Sequence, residues 1–414
     1  MSTLATPRDR IVITGVGLTS PIGNDIAEYR ASLLAGRSGV VEREIRYMGK
    51  VLAGVCNFDE LRYQKRKDLR RGTRAGSISI YCAREAVADS GLEFAKEDPS
   101  RCGVAIGSGI GGLNEFEAQH ERLHTKGIDK VSPFFIPKLL LNTASGHVST
   151  MFGAKGVNIA AATACASASN SIGSALRAIQ YGDADVMLTG GSEAALTPMG
   201  LAGFQNMRAL SFRSDAPQQA SRPFDVDRDG FVLAEGAGIV VLEELEHAQR
   251  RGARIYGELR GYGASGDAGH ITQPDDEGLG ASRAMTMALR DAGLDTEAID
   301  YINAHGTSTP LGDKAETAAV KRVFGPHAKR LALSSTKSQL GHTLGASGGI
   351  ELVVCALTID RGVIAPTINL ETPDPDCDLD YTPKVAREAK IRVAMSNNFG
   401  FGGHNASLIL SRLD

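Results

Sequence analysis

Cys165 is the residue of this sequence that is best placed to act as a nucleophile. The short apolar run at residues 157–161 precedes it and is typical of a strand. Apolar residues then recur at helical spacing, at Ile172, Ala175, Leu176 and Ile179. The pattern therefore predicts that Cys165 lies in a turn from a strand to a helix N-terminus. Because the free N–H groups and the dipole there favour negative charge, we expect a lowered thiol pKa and a reactive thiolate.

Two histidines far along the chain are candidate partners for this cysteine. A single free cysteine is often a small buried apolar residue without chemistry, so Cys165 alone does not define a site. His305 and His342, however, each lie in a segment rich in glycine, serine and threonine, next to a predicted strand or helix end. A nucleophile and its bases are usually distant in sequence and close in the fold. We therefore predict that Cys165, His305 and His342 form one nucleophilic site.

Four segments resemble the signature motifs of the β-ketoacyl-acyl-carrier-protein synthases, above all the type II condensing enzymes of fatty-acid synthesis. They are TACAS at residues 163–167, NAHGTSTPLGDKAE at 303–316, STKSQLGHTLGASG at 335–348 and SNNFGFGGHNA at 396–406. The motifs occur in the family's order, and the resemblance extends from Arg10 to Leu410. It implies a decarboxylative Claisen condensation in fatty-acid elongation. An acyl-enzyme thioester and malonyl-acyl-carrier-protein would give β-ketoacyl-acyl-carrier-protein and carbon dioxide.

The resemblance also implies a role for each residue of the site. Cys165 would accept the acyl group, and the backbone N–H groups of Cys165 and Phe399 would form its oxyanion hole. Neutral imidazoles at His305 and His342 would donate hydrogen bonds to the malonyl thioester carbonyl and stabilise the enolate. Lys337 would keep both imidazoles neutral by like-charge repulsion, and Glu351 would pair with it or organise the site.

Relatives in this family carry a structural monovalent cation, which suggests a corresponding Na⁺ or K⁺ site here. Its oxygen ligands would come from Asn303, Glu351, Ser396 and Asn397, and oxygen donors suit a hard cation. A hydrogen-bond network without metal is the alternative for these four residues. The condensation itself is expected to need no other cofactor.

Substrate and carrier contacts are likewise implied by the resemblance. Ile110 would line the acyl tunnel, with Phe204 and Phe399 near its mouth or wall, and Thr307 and Thr309 would contact the pantetheine arm. The expected partner is an acidic acyl carrier protein bearing acyl or malonyl thioesters. It would dock on Lys65, Arg66 and Lys67 of the basic tract at residues 65–74, together with Arg208. This tract stands out because the chain as a whole is net negative. A solvated basic surface without a partner is the alternative.

Composition excludes several other classes of protein. The 414 residues carry a net charge of −3, which offers no bulk attraction to nucleic acid or to a membrane surface. No apolar run approaches the length of a membrane span, and the polar start lacks the apolar stretch of a signal peptide. The six cysteines lie far apart without CxxC pairs, which argues against a zinc site and a disulfide framework. We therefore expect a cytoplasmic protein.

Predicted strands alternate with predicted helices along both halves of the chain, which indicates two α/β halves. The resemblance specifies a thiolase-like fold, in which two pseudo-duplicated doubly wound halves pack in five layers, αβαβα. We expect residues 1–252 to carry the nucleophile and residues 253–414 to carry the histidines. A homodimer is expected by the same resemblance, with the strand at 157–161 as its seam, because pairing would cover an exposed edge.

Three alternatives remain open at this level. A thiolase or a coenzyme-A-primed initiating synthase is disfavoured by His342, because the initiating enzymes pair cysteine with histidine and asparagine. A non-catalytic chain-length-factor-like subunit is disfavoured by Cys165, which such subunits lack. A free-standing polyketide ketosynthase would use the same chemistry on another carrier, and the sequence does not separate it from a fatty-acid enzyme.

Overall fold

The structure is a computed structural model that describes residues 10–413. The interpretation of the polar start as lacking a signal peptide concerns residues 1–9, outside this range. The strands of the described range are β1 (Ile11–Thr19), β2 (Val40–Ile45), β3 (Gly49–Gly54), β4 (Cys102–Gly107), β5 (Asn158–Ile159), β6 (Val186–Glu193), β7 (Gly236–Glu244), β8 (Gly257–Gly266), β9 (Tyr301–Asn303), β10 (Ala332–Ser334), β11 (Val363–Ile364), β12 (Arg387–Glu388), β13 (Val393–Gly400) and β14 (His404–Ser411).

The α-helices confirm most of the predicted helical periodicity. Those of the described range are α1 (Ile26–Leu34), α2 (Arg66–Leu69), α3 (Arg74–Ser90), α4 (Leu113–Lys126), α5 (Phe135–Leu139), α6 (Thr143–Phe152), α7 (Ser167–Gln180), α8 (Pro198–Asn206), α9 (Leu245–Arg250), α10 (Leu279–Ala292), α11 (Pro310–Phe324), α12 (Lys337–Leu340) and α13 (Ser347–Arg361). Several begin at a side-chain cap, as where Thr309 accepts from the N–H of Gly312 ahead of α11.

Ten of the described strands form one mixed sheet, in the order β10-β9-β13-β14-β8-β1-β7-β6-β4-β5. The sheet divides where β1 meets β8, because only Val12 and Ile13 of β1 pair across that seam. If the five strands of each half are numbered in chain order, their order in the sheet is 3-2-4-5-1 from the outer edge to the seam in both halves. Both also have the same sequence of parallel and antiparallel pairs. The two halves are therefore structural duplicates, as the resemblance implied.

Helices lie on both sides of each half-sheet and between the two halves. α7 and α13 fill the middle layer, where Ile172, Leu176, Ile350 and Leu352 share one buried cluster with strand residues of both halves. α3 and α6 cover the outer face of the N-terminal half, and α10 and α11 cover that of the C-terminal half. The result is the expected five-layer αβαβα packing.

Two segments contain elements that the sequence does not display. The stretch 42–74, which has no regular apolar period, contains most of the β2–β3 hairpin and all of α2. The hairpin has a largely exposed, charged first strand, so its sequence lacks the apolar pattern of a core strand. The excursion 191–236 contains α8, which begins with Pro198 behind a Thr197 cap. None of the described helices has the length and apolarity that a bilayer crossing requires.

Candidate active site

Cys165 lies in a tight turn at the start of the middle layer. It occupies the 3-10 turn Ala164–Ala166 that leads directly into α7, as the pattern predicted. Ala164 has a φ of 49°, an unfavourable value for a residue with a side chain. The hydroxyl of Ser167 locks the turn, since it accepts from the Thr163 N–H at 2.9 Å and donates to the Ala164 carbonyl at 2.7 Å.

The two histidines come from loops of the C-terminal half. His305 follows β9, and the buried carboxylate of Glu316 on α11 accepts from the N–H groups of His305 and Gly306, each at 2.8 Å. His342 lies between α12 and α13, with its Nδ1 3.1 Å from the hydroxyl of Ser347. The His305 backbone and the His342 ring are thus held in place before any substrate binds.

These loops bring the three predicted side chains together. His342 Nε2 lies 3.0 Å from Cys165 Sγ, and the two imidazole centroids are 5.5 Å apart at an interplanar angle of 85°. All three residues are buried, and one ligand-type atom of each lies within 4.8 Å of the others. The predicted Cys-His-His cluster is therefore present in the fold.

A buried ion pair lies directly behind the histidines. Lys337 Nζ is 2.5 Å from Glu351 Oε1 and 3.5 Å from His305 Nδ1. The second oxygen of Glu351 accepts from the amide of Asn398 at 2.6 Å. Because an ammonium can only donate, Nδ1 of His305 acts as acceptor, which leaves the proton on Nε2. Lys337 therefore selects the His305 tautomer as well as adding charge.

Burial and the Lys337 charge together keep both imidazoles neutral. Desolvation lowers the pKa of His305 and of His342 well below the ordinary value, and repulsion by Lys337 lowers it further. The predicted electrostatic effect of Lys337 is in the expected direction, although burial is the larger cause. Neutral imidazoles can donate hydrogen bonds to a developing enolate without delivering a full positive charge.

The expected lowering of the Cys165 pKa is wrong for the free enzyme. Burial raises the pKa of the thiol to about 12, and the opposing effects of Lys337 and of backbone N–H groups are smaller. The site therefore rests as a neutral thiol beside a neutral imidazole. Activation of the sulfur then has to accompany substrate attack.

The backbone around Phe399 closely approaches the nucleophile. A Cβ added to Gly400 would lie only 3.0 Å from the Cys165 nitrogen, so glycine is needed for this approach. The N–H of Phe401 points at the Cys165 sulfur. The ring of Phe399 lies beside the imidazole of His305, with the two centroids 5.7 Å apart. The segment that was predicted to supply an oxyanion donor is thus beside the thiol, and Phe401 is an additional donor that the sequence did not indicate.

A cavity of about 600 Å³ opens onto the thiol. All of the predicted substrate residues line it. They are Ile110, Phe204, Thr307, Thr309 and Phe399, and Arg208 also lines it as an exposed side chain. Thr307 and Thr309 hydroxyls are 3.0 Å apart. The cavity is therefore a largely apolar channel with a few hydroxyl groups, which suits an acyl chain on a polar arm.

The four residues predicted to bind a monovalent cation divide into two pairs. Asn303 and Ser396 are opposite each other on β9 and β13, and Asn303 Oδ1 and Ser396 Oγ are buried without a hydrogen-bond partner. These unsatisfied oxygens fit a hard cation. The side chains of Glu351 and Asn397 point to other groups: Glu351 to Lys337 and Asn398, and Asn397 to Ser407 and Met285. Only the first pair therefore offers free side-chain oxygens to such an ion.

Cys165, His305 and His342 are also a donor set that a transition metal could use. The ammonium of Lys337, 3.5 Å from His305, would repel a dication at that point. The arrangement therefore suits acyl chemistry better than metal binding.

The predicted docking residues are separate from the catalytic cluster. Lys65, Arg66 and Lys67 are exposed on or next to α2, and none of them forms a salt bridge within residues 10–413. Arg74, at the end of the same basic tract, turns inward and pairs with Glu235 and Glu60. The tract is therefore partly structural and partly free surface.

Two buried carboxylates at the site were not predicted from the sequence. Glu316 holds the His305 loop, and Glu193 accepts hydrogen bonds from the glycine loop that contains Ile110. Glu316 is the last residue of the NAHGTSTPLGDKAE segment, so its place in that motif could have marked it as a site residue. Glu193 ends an apolar strand without a motif of its own, and only the fold reveals its partners.

The family assignment follows from this geometry and from sequence comparison. The models of the β-ketoacyl synthase N-terminal and C-terminal domains match residues 8–248 and 256–371. The chain belongs to the β-ketoacyl synthase family, and the buried Cys-His-His cluster makes it an enzyme of that class.

Two similar proteins within this family carry the same name. The chain is 50% identical over 408 residues to 3-oxoacyl-[acyl-carrier-protein] synthase 2 of Coxiella burnetii, covering 98% of this chain and 99% of that protein. It is 48% identical over 413 residues to the synthase 2 of Synechocystis, covering 98% of each.

Solved structures show the same fold. A β-ketoacyl synthase from Burkholderia phymatum gives a TM-score of 0.91 at 39% identity, covering 98% of this chain and all of that one. A ketosynthase solved with its type II polyketide acyl-carrier protein gives 0.90 at 36% identity, covering 99% of this chain and all of the other.

Proposed function

We propose that the chain elongates fatty acids by condensing an acyl group held on Cys165 with malonyl-acyl-carrier-protein. The observation that carries this proposal is the contact of 3.0 Å between Cys165 Sγ and a neutral His342, beside a second neutral histidine fixed by Lys337. The 50% identity to synthases named for this reaction, over nearly the whole chain, supports it. The chemistry needs no organic cofactor.

The first half-reaction transfers the acyl group to the enzyme. Cys165 Sγ attacks the thioester carbonyl while its proton moves to His342 Nε2, and the proton then passes to the departing carrier sulfur. Because thiol and imidazole are both neutral at rest, charge develops only in the transition state. The N–H groups of Cys165 and Phe401, both directed at the Cys165 sulfur, would stabilise the oxyanion. The N terminus of α7 favours the developing negative charge.

The second half-reaction forms the carbon–carbon bond. The malonyl C–C bond breaks, carbon dioxide leaves, and the electron pair is held as an enolate by hydrogen bonds from the Nε2–H groups of His305 and His342. For this step His342 is the other neutral tautomer, with its proton on Nε2 and with Nδ1 accepting from the Ser347 hydroxyl. The enolate attacks the acyl carbonyl, and the Cys165–acyl bond breaks to release β-ketoacyl-carrier. The cysteine thiolate then takes up one proton from solvent, which balances the loss of the malonyl carboxylate as neutral carbon dioxide. The buried ion pair of Lys337 and Glu351 keeps both imidazoles in the donating, neutral form.

The substrate arm and its carrier would reach the thiol through the cavity mouth. Thr307 and Thr309 are placed along it to bind the polar pantetheine, and Arg208 is exposed at the same cavity. An acidic carrier protein is the proposed partner, docked on Arg208 with Lys65, Arg66 and Lys67. The similar ketosynthase that was solved with its acyl-carrier protein supports this proposal.

We further propose a homodimer in a reducing cytoplasm. β5 ends the ten-stranded sheet with both residues exposed, and large apolar side chains are exposed nearby in sequence, as at Phe134, Ile136 and Leu140. Pairing of two such edges would cover them. The six cysteines are all unpaired and buried, which fits a reducing compartment. A monomeric mass by light scattering at micromolar concentration would contradict the dimer.

The experiment that tests the function is acyl transfer followed by intact mass spectrometry. Incubation with an acyl-carrier thioester should add one acyl group, mapped to the peptide that holds Cys165, and malonyl-carrier should then release β-ketoacyl-carrier. Cys165→Ala should lose both reactions, with condensation falling by at least about 10³-fold. Persistent acylation of the variant would reject Cys165 as the acceptor.

A further inference from the structure

A fully buried carboxylate lies where the two halves of the molecule meet above the thiol. Glu193 ends β6, is 0% exposed, and forms no salt bridge within the described chain. Its oxygens accept hydrogen bonds from five groups. The donors are the Gly109 N–H at 2.6 Å, the Ser108 hydroxyl at 3.0 Å, the Gly345 N–H at 3.1 Å, and the Ile110 and Gly111 N–H groups at 3.3 Å.

These donors belong to two loops that are distant in sequence. The glycine loop 108–111 follows β4 in the N-terminal half, and the turn at 344–346 follows His342 in the C-terminal half. Ile110 of the first loop and Leu344 of the second both line the cavity with Cys165. Leu344 belongs to the apolar cluster that contains Cys165, and Ile110 packs against that cluster. One carboxylate therefore holds the loops of two apolar side chains that line the cavity with the nucleophile.

The two loops pack so closely around this carboxylate that neither glycine can carry a side chain. A Cβ added to Gly345 would lie 2.2 Å from the Gly109 nitrogen and 2.7 Å from Glu193 Oε2. A Cβ at Gly109 would lie 2.9 Å from the same oxygen. Backbone N–H donors that converge on a carboxylate stabilise its charged form, whereas burial raises its pKa. Removing the charge would leave several buried N–H groups without a strong acceptor.

Apolar side chains continue beyond the cavity at this point. Ile45, Met48 and Val51 of the β2–β3 hairpin pack against the same cluster as Ile110 but do not line the cavity. Movement of the glycine loop would change how far an acyl chain can pass from the thiol towards the hairpin. The loop has the glycines for such movement, with Gly111 at a φ of 71°.

We propose that Glu193 is a positioning residue that sets acyl-chain preference by holding Ile110 and Leu344 in place beside Cys165. The proposal rests on the proposed function. Glu193 touches neither substrate nor reacting atoms, so it acts through the two loops. Malonyl decarboxylation depends on His305, His342 and Lys337, and it does not require passage of an acyl chain past Ile110. Chain preference and decarboxylation should therefore separate.

The test compares acylation of Cys165 by acetyl-carrier and dodecanoyl-carrier in wild type and Glu193→Gln, measured by intact mass. Glutamine keeps one acceptor oxygen but turns an NH₂ group towards N–H donors. Loosening the loop should raise the dodecanoyl-to-acetyl rate ratio about tenfold, the usual scale for losing hydrogen bonds to a charged group. Malonyl decarboxylation per folded enzyme should stay within about twofold. Glu193→Asp, which keeps the charge, should give an intermediate ratio.

Glu243→Gln is the matched control, because Glu243 is equally buried on the adjacent β7 and contacts Arg251, His247 and Thr14 instead of the cavity. It should lower the melting temperature without changing the ratio. An unchanged or lower ratio in Glu193→Gln, or an equal loss of acylation at both lengths and of decarboxylation, would overturn the proposal. Failure of wild-type Cys165 to accept any acyl group would instead reject the proposed function itself.

Discussion

The two halves of the molecule build the same turn at the same position and use it differently. TACAS at 163–167 leads into α7, and TLGAS at 343–347 leads into α13. Each forms a 3-10 turn directly before its helix, and the second residue of each has positive φ, 49° at Ala164 and 46° at Leu344. Cys165 and Gly345 are therefore equivalent positions in a duplicated structure.

What packs against each turn explains the difference. The Cys165 side chain faces a cavity, and the neighbouring strand approaches its backbone through Gly400. At Gly345 the glycine loop of the other half fills the corresponding space, so that no side chain fits. The duplicated fold therefore contains two turns with a positive-φ residue. Only the turn at Cys165 faces a cavity that can hold a reactive side chain, because a loop packs against the turn at Gly345. The other half contributes the histidines instead.

The largest effect is expected when the histidines of the C-terminal half are replaced, because the nucleophile of the N-terminal half depends on them for condensation. His305→Ala should lower condensation on the order of 10²-fold or more, because an enolate donor is lost. His305 has no contact with the sulfur comparable to that of His342, so Cys165 should still be acylated in this variant. His342→Ala should slow both steps, because its Nε2 lies 3.0 Å from Sγ. Acylation is read by intact mass and condensation by product; near-wild-type condensation in both variants would refute the assignment.

The second test breaks the asymmetry of the two turns directly. Gly345→Ala introduces a methyl group into space occupied by Gly109 and Glu193, and overpacking of this kind costs about 1–3 kcal/mol. Urea unfolding should show that loss, whereas Cys165→Ala, at the equivalent position, should lose much less because its sulfur faces a cavity. Equal stability of wild type and Gly345→Ala would mean that the glycine is not required by packing.

Much of this fold could be predicted from its sequence, for a local reason. Core strands such as β4 and β7 and helices such as α7 and α13 bury faces that their apolar spacing displays. The three catalytic side chains were found because each lies in a family motif. The relation between TACAS and TLGAS cannot be recognised from the sequence alone, because three identical residues in five are too few.

Properties that depend on distant packing could not be predicted. The Cys165 pKa was expected to fall because a helix N-terminus is visible in the sequence, whereas the burial that raises it depends on both halves. Glu193 escaped notice because its five donors come from segments before and after it in the chain. Basic residues occur along the whole tract in the sequence, yet Arg74 forms an ion pair with the buried Glu235. All three properties depend on contacts between residues that are distant in the sequence.

The third test concerns the surface, where the N-terminal half also carries the proposed docking residues. Reversal of Lys65, Arg66 and Lys67 to Glu should raise the apparent KM for carrier-bound substrate by about tenfold, since complementary charge mainly speeds encounter. The salt dependence of that reaction should weaken. A small thioester without carrier should react at nearly the wild-type rate.

A matched variant separates docking from net charge. Lys155, Arg290 and Lys390 are exposed, form no salt bridge in the part of the chain that the structure describes, and do not line the cavity. Their reversal to Glu changes the net charge equally and should leave KM for the carrier near wild type. An equal loss on carrier and small thioester in the first variant would assign the tract to folding.

The smallest expected effect is on stability, and it concerns a buried ion cluster on β7 that the C-terminal half, within the described residues, lacks at the equivalent position. Glu243 pairs with Val186 across the sheet, just as Ser411 pairs with Val393 in the other half. Glu243 is bound by Arg251, His247 and Thr14, and these hydrogen bonds, opposed by burial, lower its pKa to about 2. His247 also contacts Glu97, and the hydrogen bond to Glu243 raises the His247 pKa above its ordinary value.

The sign of the pH effect follows from these two shifts. A raised histidine pKa means that His247 stabilises the fold fully below its unfolded value near pH 6.5, and that this contribution is lost as pH rises through the higher folded value. Glu243 stays charged throughout this window. The difference in unfolding free energy between wild type and His247→Gln should therefore be on the order of 1 kcal/mol near pH 6 and smaller near pH 9. His404→Gln, exposed at the start of β14, is the control for replacing a histidine outside the cluster. A difference that grows with pH in urea unfolding would show that the cluster does not depend on a charged His247.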